Sequence, residues 1–319
     1  MVLRALLAFV LAFAAGAAVY PMVIGWLARA GVGQPIREEG PSSHQSRSGT
    51  PTAGGIVFLA LGLIFYLVFD RSRTGGLVLL ALLTGGGLGL ADDLRKVLAR
   101  QNLGLRAREK VLIQLLTGLA LAFLAWRWGF AVQAVPFWHP VNLGAWLIPL
   151  GAVAFVAGTN AFNLTDGSDG LAAGVGAIAF ASLTVIALRG QHAAAAWLPA
   201  ILTGLLLAFL VYNVSPARVF MGDTGSLALG NALVAAAIVG GLLWYLPLLA
   251  AVLVAETVSV IAQVASFKRT GRRIFRMSPL HNHFILGGWS DTRVALSFWA
   301  VGLLAALLTL ALAPAGGRA

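Results

Sequence analysis

Long apolar runs, each closed by a short polar segment, recur along the whole chain. About 20 predominantly apolar residues suffice for a helix to cross the hydrocarbon core of a bilayer. On that criterion the pattern predicts ten spans, at 2–28, 53–70, 75–91, 108–127, 144–159, 171–188, 195–212, 226–243, 246–267 and 292–312. The expected fold is all-α: a polytopic membrane protein with a single transmembrane domain over residues 1–319. The third, sixth and eighth runs carry many small residues, which let helices approach closely in lipid. The fifth is short and glycine-rich. Ala5 to Trp26 exceeds the roughly 7–15 apolar residues of a signal peptide and reads as a retained first helix. The segment 128–143, with two prolines, Trp138 and His139, predicts an interfacial turn or hairpin.

Composition supports the membrane class. Hydrophobic residues make up 59% and charged residues 10%, against about 25% charged in a soluble domain. Without cysteine, disulfides, thiol nucleophiles and thiolate metal sites are excluded. The net charge of +11 would point to nucleic acid in a soluble protein, but here its distribution decides. Alternate loops fall on one side: 29–52, 92–107, 160–170, 213–225 and 268–291. With bases just inside their helices, Lys110 and Arg293 among them, that side holds 16 of the 22 lysines and arginines. The positive-inside rule makes it cytoplasmic and both termini external, and no nucleic-acid partner is expected.

Only 11 residues are acidic, and five of them cluster beside glycines or each other at the ends of apolar runs. Asp92 and Asp93 lie in GLADDLRK, where the pattern ends the third span. Carboxylates at a helix C-terminus oppose its dipole and need a cation, a proton, or Arg95 and Lys96. They read either as an interfacial pair balanced by those bases or as a metal-adjacent, proton-accepting pair. NAFNLTDGSDG, at 160–170, fits a helix start capped by Ser168 or Asp169. Asn163, Asp166 and Asp169 together exceed what a cap requires and suit a polar ligand. In MGDTGS, at 221–226, backbone amides can face phosphate oxygens while Asp223 faces a divalent cation; a plain capped turn is the alternative.

Three more features carry polar chemistry. The loop KRTGRRIFRMSPLHNHF joins five bases to His281 and His283. The bases suit anionic headgroups, and the histidines suit phosphate donation or a proton relay better than zinc. GPSSHQSRSGTPTAGG, with His44, Arg47 and Thr52, is either a phosphate-binding loop or a connector. Glu256 falls near the middle of the ninth run, which makes it a functional candidate or an interhelical hydrogen-bond acceptor.

Taken in order, these motifs resemble the phospho-N-acetylmuramoyl-pentapeptide transferase family. QPIREEGPSSH with GTPTAGG, LADDLRK, the pair Lys110 and Gln114, NAFNLTDGSDGL, FMGDTGSLALG and FKRTGRRIFRMSPLHNHF span Gln34 to Asp291. The resemblance implies a ten-helix bundle in the bacterial cytoplasmic membrane, working as a homodimer. It also implies transfer from UDP-MurNAc-pentapeptide to undecaprenyl phosphate with Mg²⁺, forming lipid I and UMP at a cytoplasmic cleft. Carried over, Asp223 is the metal ligand, Asp92 and Asp93 serve the lipid phosphate, and Lys110 contacts phosphate. Asn163, Asp166, Asp169, Asn213 and Phe220 line the nucleoside-diphosphate pocket, and Gln263, His281 and His283 complete its rim.

Three positions depart from the family pattern. Asn282 replaces the middle of three histidines, Arg47 replaces a lysine, and Ile285 replaces a glutamate. Asparagine still hydrogen-bonds but cannot be protonated at neutral pH, and arginine keeps the charge with another geometry. A sister enzyme transferring GlcNAc-1-phosphate would share the Asp-Asp and Asn-x-x-Asp motifs. A transporter would place several ionisable groups at mid-membrane, where only Glu256 falls.

Overall fold

The computed structural model describes residues 2–33, 49–99, 104–190 and 193–314. Among the described residues the architecture is helical, with one two-stranded ribbon. The helices are α1 (Val2–Arg29), α2 (Ile56–Phe69), α3 (Arg73–Ala99), α4 (Ala107–Arg127), α5 (Leu147–Thr165), α6 (Leu171–Arg189), α7 (Ala193–Asn213), α8 (Gly222–Val239), α9 (Leu246–Leu249), α10 (Ala251–Thr270), α11 (Leu280–Ile285) and α12 (Asp291–Leu312). Among the described residues, nine of these are long and apolar enough to cross a membrane; α2 has 14 residues and is shorter.

Helix α8 is the most buried span. It packs most extensively on α3 and also on α5. Its residues from Thr224 to Ile238 are all buried, so the bundle surrounds it on every side. Small residues explain how α3 comes so near: a Cβ on Gly85 would overlap the Leu227 carbonyl, and one on Gly89 the Asp223 carbonyl. These glycines are four residues apart on one face of α3. The same device joins the start of α2 to α8, where Gly55 lies against the Gly225 backbone.

The apolar runs are found where expected, but several ends move. α3 continues to Ala99 instead of stopping at 91, which puts Asp92 and Asp93 inside the helix. α5 continues to Thr165, taking in Asn160 and Asn163, and leaves only a short turn before α6. α8 begins at Gly222, so Asp223 occupies its first turn. The ninth run divides at Ala250 into α9 and α10. The segment 128–143 does form a hairpin, with Val132–Gln133 paired antiparallel to Val141–Asn142. Buried Gln133 holds it to the bundle by donating to the Ile238 carbonyl (3.0 Å) and accepting from the Leu243 amide (2.9 Å).

Candidate active site

The ends of α3, α4, α5 and α8 meet around five charged side chains. Asp92 and Asp93 belong to α3, as does Lys96, which sits four and three residues further on and therefore on the same face. The Lys96 ammonium lies 2.7 Å from Asp92 Oδ2, 3.6 Å from Asp93 Oδ1 and 3.1 Å from Asp223 Oδ2. Lys110, from the first turn of α4, lies 2.5 Å from Asp223 Oδ2 and 3.1 Å from Asp92 Oδ1. Buried charges persist only when paired in this way.

Each carboxylate has a different set of partners. Asp92 is fully buried and also accepts from the Leu105 amide at 2.7 Å. Gly104 makes that approach possible, because a Cβ there would overlap the Asp92 carboxylate. Asp93 turns to α8, accepting from the Asp223 amide (3.2 Å), the Thr224 amide (2.9 Å) and the Thr224 hydroxyl (2.7 Å). It thus caps α8 from a neighbouring helix, where the helix's own N-cap residue, Met221, makes no side-chain cap. Asp223 accepts from Asn163 Nδ2 at 2.9 Å, and the same amide reaches Ser226 Oγ at 2.8 Å. Asp223 is also the most accessible of the three, at 14% side-chain exposure.

Oxygens of Asp92, Asp93 and Asp223 lie within 4.8 Å of one another. An all-oxygen donor set suits a hard divalent cation such as Mg²⁺. The donor set therefore fits the cation in its chemistry.

The turn between α5 and α6 lies next to this cluster. Burial pushes the Asp166 carboxyl well above the usual carboxylate range, and the negative charges of Asp223, Asp93 and Asp169 add to the effect. Neither Ser168 nor Asp169 caps α6. Its N-cap is Gly170, in the left-handed region at φ 75°. Ser168 instead donates to Asp291 at 2.7 Å, while Asp169 accepts from the Ala217 amide at 3.1 Å. Asn213 spans the same region, accepting from the Gly170 amide (3.0 Å) and donating to the Val219 carbonyl (2.9 Å).

The remaining sequence-derived residues form two further groups. Phe220 is half-buried; its amide donates to the Pro51 carbonyl (2.8 Å) and its carbonyl accepts from the Gly54 amide (2.9 Å). This tie brings Thr52 near the entry to α8. Gln263 holds the loop after α10, accepting from the Ile274 and Phe275 amides, each at 2.9 Å. His283 Nδ1 accepts from the Arg276 amide at 3.1 Å, whereas His281 and Asn282 are buried in α11. Arg47 and His44 lie outside the described residues.

Lys96 is a site residue that sequence reasoning assigned only to charge balance. Its signal was the helical spacing from both aspartates, hidden by ending the third span at 91.

A model of glycosyl transferase family 4 matches residues 75–241, which takes in the whole carboxylate cluster. The chain is 46% identical over 310 residues to the phospho-N-acetylmuramoyl-pentapeptide-transferase of Geobacillus sp. (strain WCH70), covering 95% of each chain. Proteins of the same name from Heliobacterium modesticaldum and Thermoanaerobacter sp. (strain X514) are 46% and 43% identical, over 96% and 97% of this chain. This chain belongs to the phospho-N-acetylmuramoyl-pentapeptide-transferase family.

Proposed function

We propose that the chain transfers phospho-MurNAc-pentapeptide from UDP-MurNAc-pentapeptide to undecaprenyl phosphate, forming lipid I and UMP. The observation that carries this reading is the lysine-bridged cluster of Asp92, Asp93 and Asp223 beside the 166–170 turn, in a chain with these relatives. An oxygen of the lipid phosphate attacks the phosphorus that bears the sugar. The bond from that phosphorus to the UMP oxygen breaks, and its electron pair leaves with UMP. Such a transfer asks the protein mainly for positioning and charge neutralisation.

Asp223, the most accessible carboxylate, holds Mg²⁺ in this reading. The bound ion supplies charge neutralisation for the diphosphate and the departing UMP. Lys96 and Lys110 exchange carboxylate for phosphate oxygens as the two anionic substrates approach, lowering the repulsion between them. Asp92 keeps the lipid phosphate deprotonated, and Asp93 supports the first turn of α8. Asn163, Asp166, Asp169 and Thr52 line the nucleotide-sugar pocket, with the Phe220 ring as a stacking face for uracil, and Arg47 binds the same substrate. Asn213 and Gln263 act by holding the loops that form the pocket wall. His281, Asn282 and His283 complete the rim.

In the same reading α2 is a tenth crossing, both termini are external, the cluster faces the cytoplasm of a bacterial cell and two copies associate. The bias of basic residues supports this orientation. The deciding experiment incubates purified protein with undecaprenyl phosphate, Mg²⁺ and either UDP-MurNAc-pentapeptide or UDP-GlcNAc. Mass spectrometry of the lipid product should find lipid I from the first donor only. A GlcNAc-linked lipid would replace this reading with that of the sister enzyme.

A further inference from the structure

The transfer as derived gives no role to Glu256. This residue lies in the second turn of α10 and is fully buried. A carboxylate inside an apolar span is costly unless its oxygens are satisfied. Here one residue satisfies them. The His281 amide lies 3.2 Å from Glu256 Oε1 and 3.4 Å from Oε2, and the His281 ring Nδ1 lies 3.2 Å from Oε1. The backbone contact uses Glu256 as an acceptor, and the ring contact pairs with an ionised carboxylate when Nδ1 carries the hydrogen. Nε2 is then the ring atom left for other work.

Nε2 points into the carboxylate-rich turn. A Cβ on Gly167 would overlap it, so the imidazole is clamped between Glu256 and a glycine notch flanked by Asp166 and Ser168. A bond serving only to fasten α11 would need the backbone contact alone; the ring contact and the notch fix the orientation of the imidazole. The approach of α11 is constrained as well. Gln263 ties residues 274 and 275 to α10, seven residues after Glu256, or about 10 Å along the helix at ~1.5 Å per residue.

We propose that Glu256 is a positioning residue that fixes the hydrogen of His281 on Nδ1 and presents Nε2 to the diphosphate held beside the 166–169 turn. The identity of what Nε2 meets rests on the transferase reading; the lock between the two side chains does not.

Two measurements separate these parts. The chain has five histidines, so ¹⁵N-histidine labelling gives a tractable side-chain NMR spectrum, in which His281 is assigned by its loss in His281→Gln. The wild-type protein should show a hydrogen-bonded proton on His281 Nδ1, and Glu256→Ala should lose it. A wild-type His281 ring with a bare Nδ1 would overturn the lock without reference to any variant's folding. In the lipid I assay, Glu256→Ala should lose about tenfold or more in kcat, while KM for the UDP-sugar stays within about threefold. Glu256→Gln retains one acceptor oxygen and should lose less. Gly167→Ala should also lose turnover, because the ring must move. Wild-type turnover in Glu256→Ala would overturn the positioning role. If the wild-type protein makes no lipid product, the transferase reading fails while the NMR result still decides the lock.

Discussion

One carboxylate oxygen of Asp93 accepts two hydrogen bonds from Thr224 on another helix, one from the backbone amide at 2.9 Å and one from the hydroxyl at 2.7 Å. Asp93 therefore works as a cap for α8, and in the proposed reaction its effect passes through the position of Asp223. Asp93→Ala should cost about 1–3 kcal/mol, since two buried amides lose their acceptor, and Thr224→Val about 0.5–1.5 kcal/mol. Thermal unfolding in detergent measures both. Activity lost in Asp93→Asn with no change in unfolding temperature would mean that Asp93 acts on substrate directly.

Asp223 and Asp92 should separate in their metal dependence. Asp223→Asn is expected to raise the Mg²⁺ concentration needed for half-maximal activity. Asp92→Asn should lower turnover by ~10²–10³ with little change in that requirement, a usual magnitude for an oriented charge in a site. Titrating Mg²⁺ against initial rate distinguishes them. An unchanged requirement in an active Asp223→Asn enzyme would shift the metal to the α3 pair.

Lys96 touches all three carboxylates, so Lys96→Met keeps the apolar stem and removes the charge that gathers them. Turnover should fall by ~10²–10³ on the same grounds. Lys96→Arg should restore only part of it, because a planar guanidinium cannot point at three oxygens as one ammonium does. Full recovery in Lys96→Arg would reduce the role of Lys96 to simple charge.

Asp166 gives a pH dependence with a definite sign. Burial and the neighbouring carboxylates raise its folded-state proton affinity. Its contribution is therefore fully present below the ordinary carboxylate value of about 3.9 and is lost as pH rises toward the elevated one. Asp166→Asn should match the wild type in unfolding temperature near pH 4 and exceed it increasingly as pH rises. Equal unfolding temperatures at pH 8 would contradict the elevated value.

The absence of native cysteine makes orientation directly testable. In intact cells an impermeant thiol reagent should label Arg73→Cys, and should leave Gln45→Cys and Arg272→Cys unlabelled. Labelling of both loops from outside would reverse the proposed orientation.

The helices and the carboxylates that gather in the cluster were legible because hydrophobic length and glycine-flanked carboxylates are strong local signals. Helix ends were less legible. Leu94, Val97 and Leu98 carry α3 past its aspartates, and the turn formed by Lys96 with them holds charge that hydropathy alone reads as a boundary. The macrodipole argument for Asp92 and Asp93 fails for the same reason, since six residues of α3 follow Asp93. Asn163 read as part of a loop, whereas it reaches Asp223 from the last turns of a helix. Long-range partners left no local trace: nothing near Asp93 points to Thr224, 131 residues away, and nothing near Glu256 points to His281. Spacing identifies neighbours on one helix and is silent about pairs brought together by the bundle.

Where α3 meets α8, Gly89 lies directly against the Asp223 carbonyl, and no side chain intervenes to act as a cushion. The two helices thus form the fixed jaw of a vice, in which the spacing of the carboxylates is set by backbone against backbone. Adjustment to an arriving diphosphate then falls to the Lys96 and Lys110 side chains, which reach the carboxylates on flexible stems. An inhibitor that grips this jaw would meet a surface whose shape is set by backbone packing.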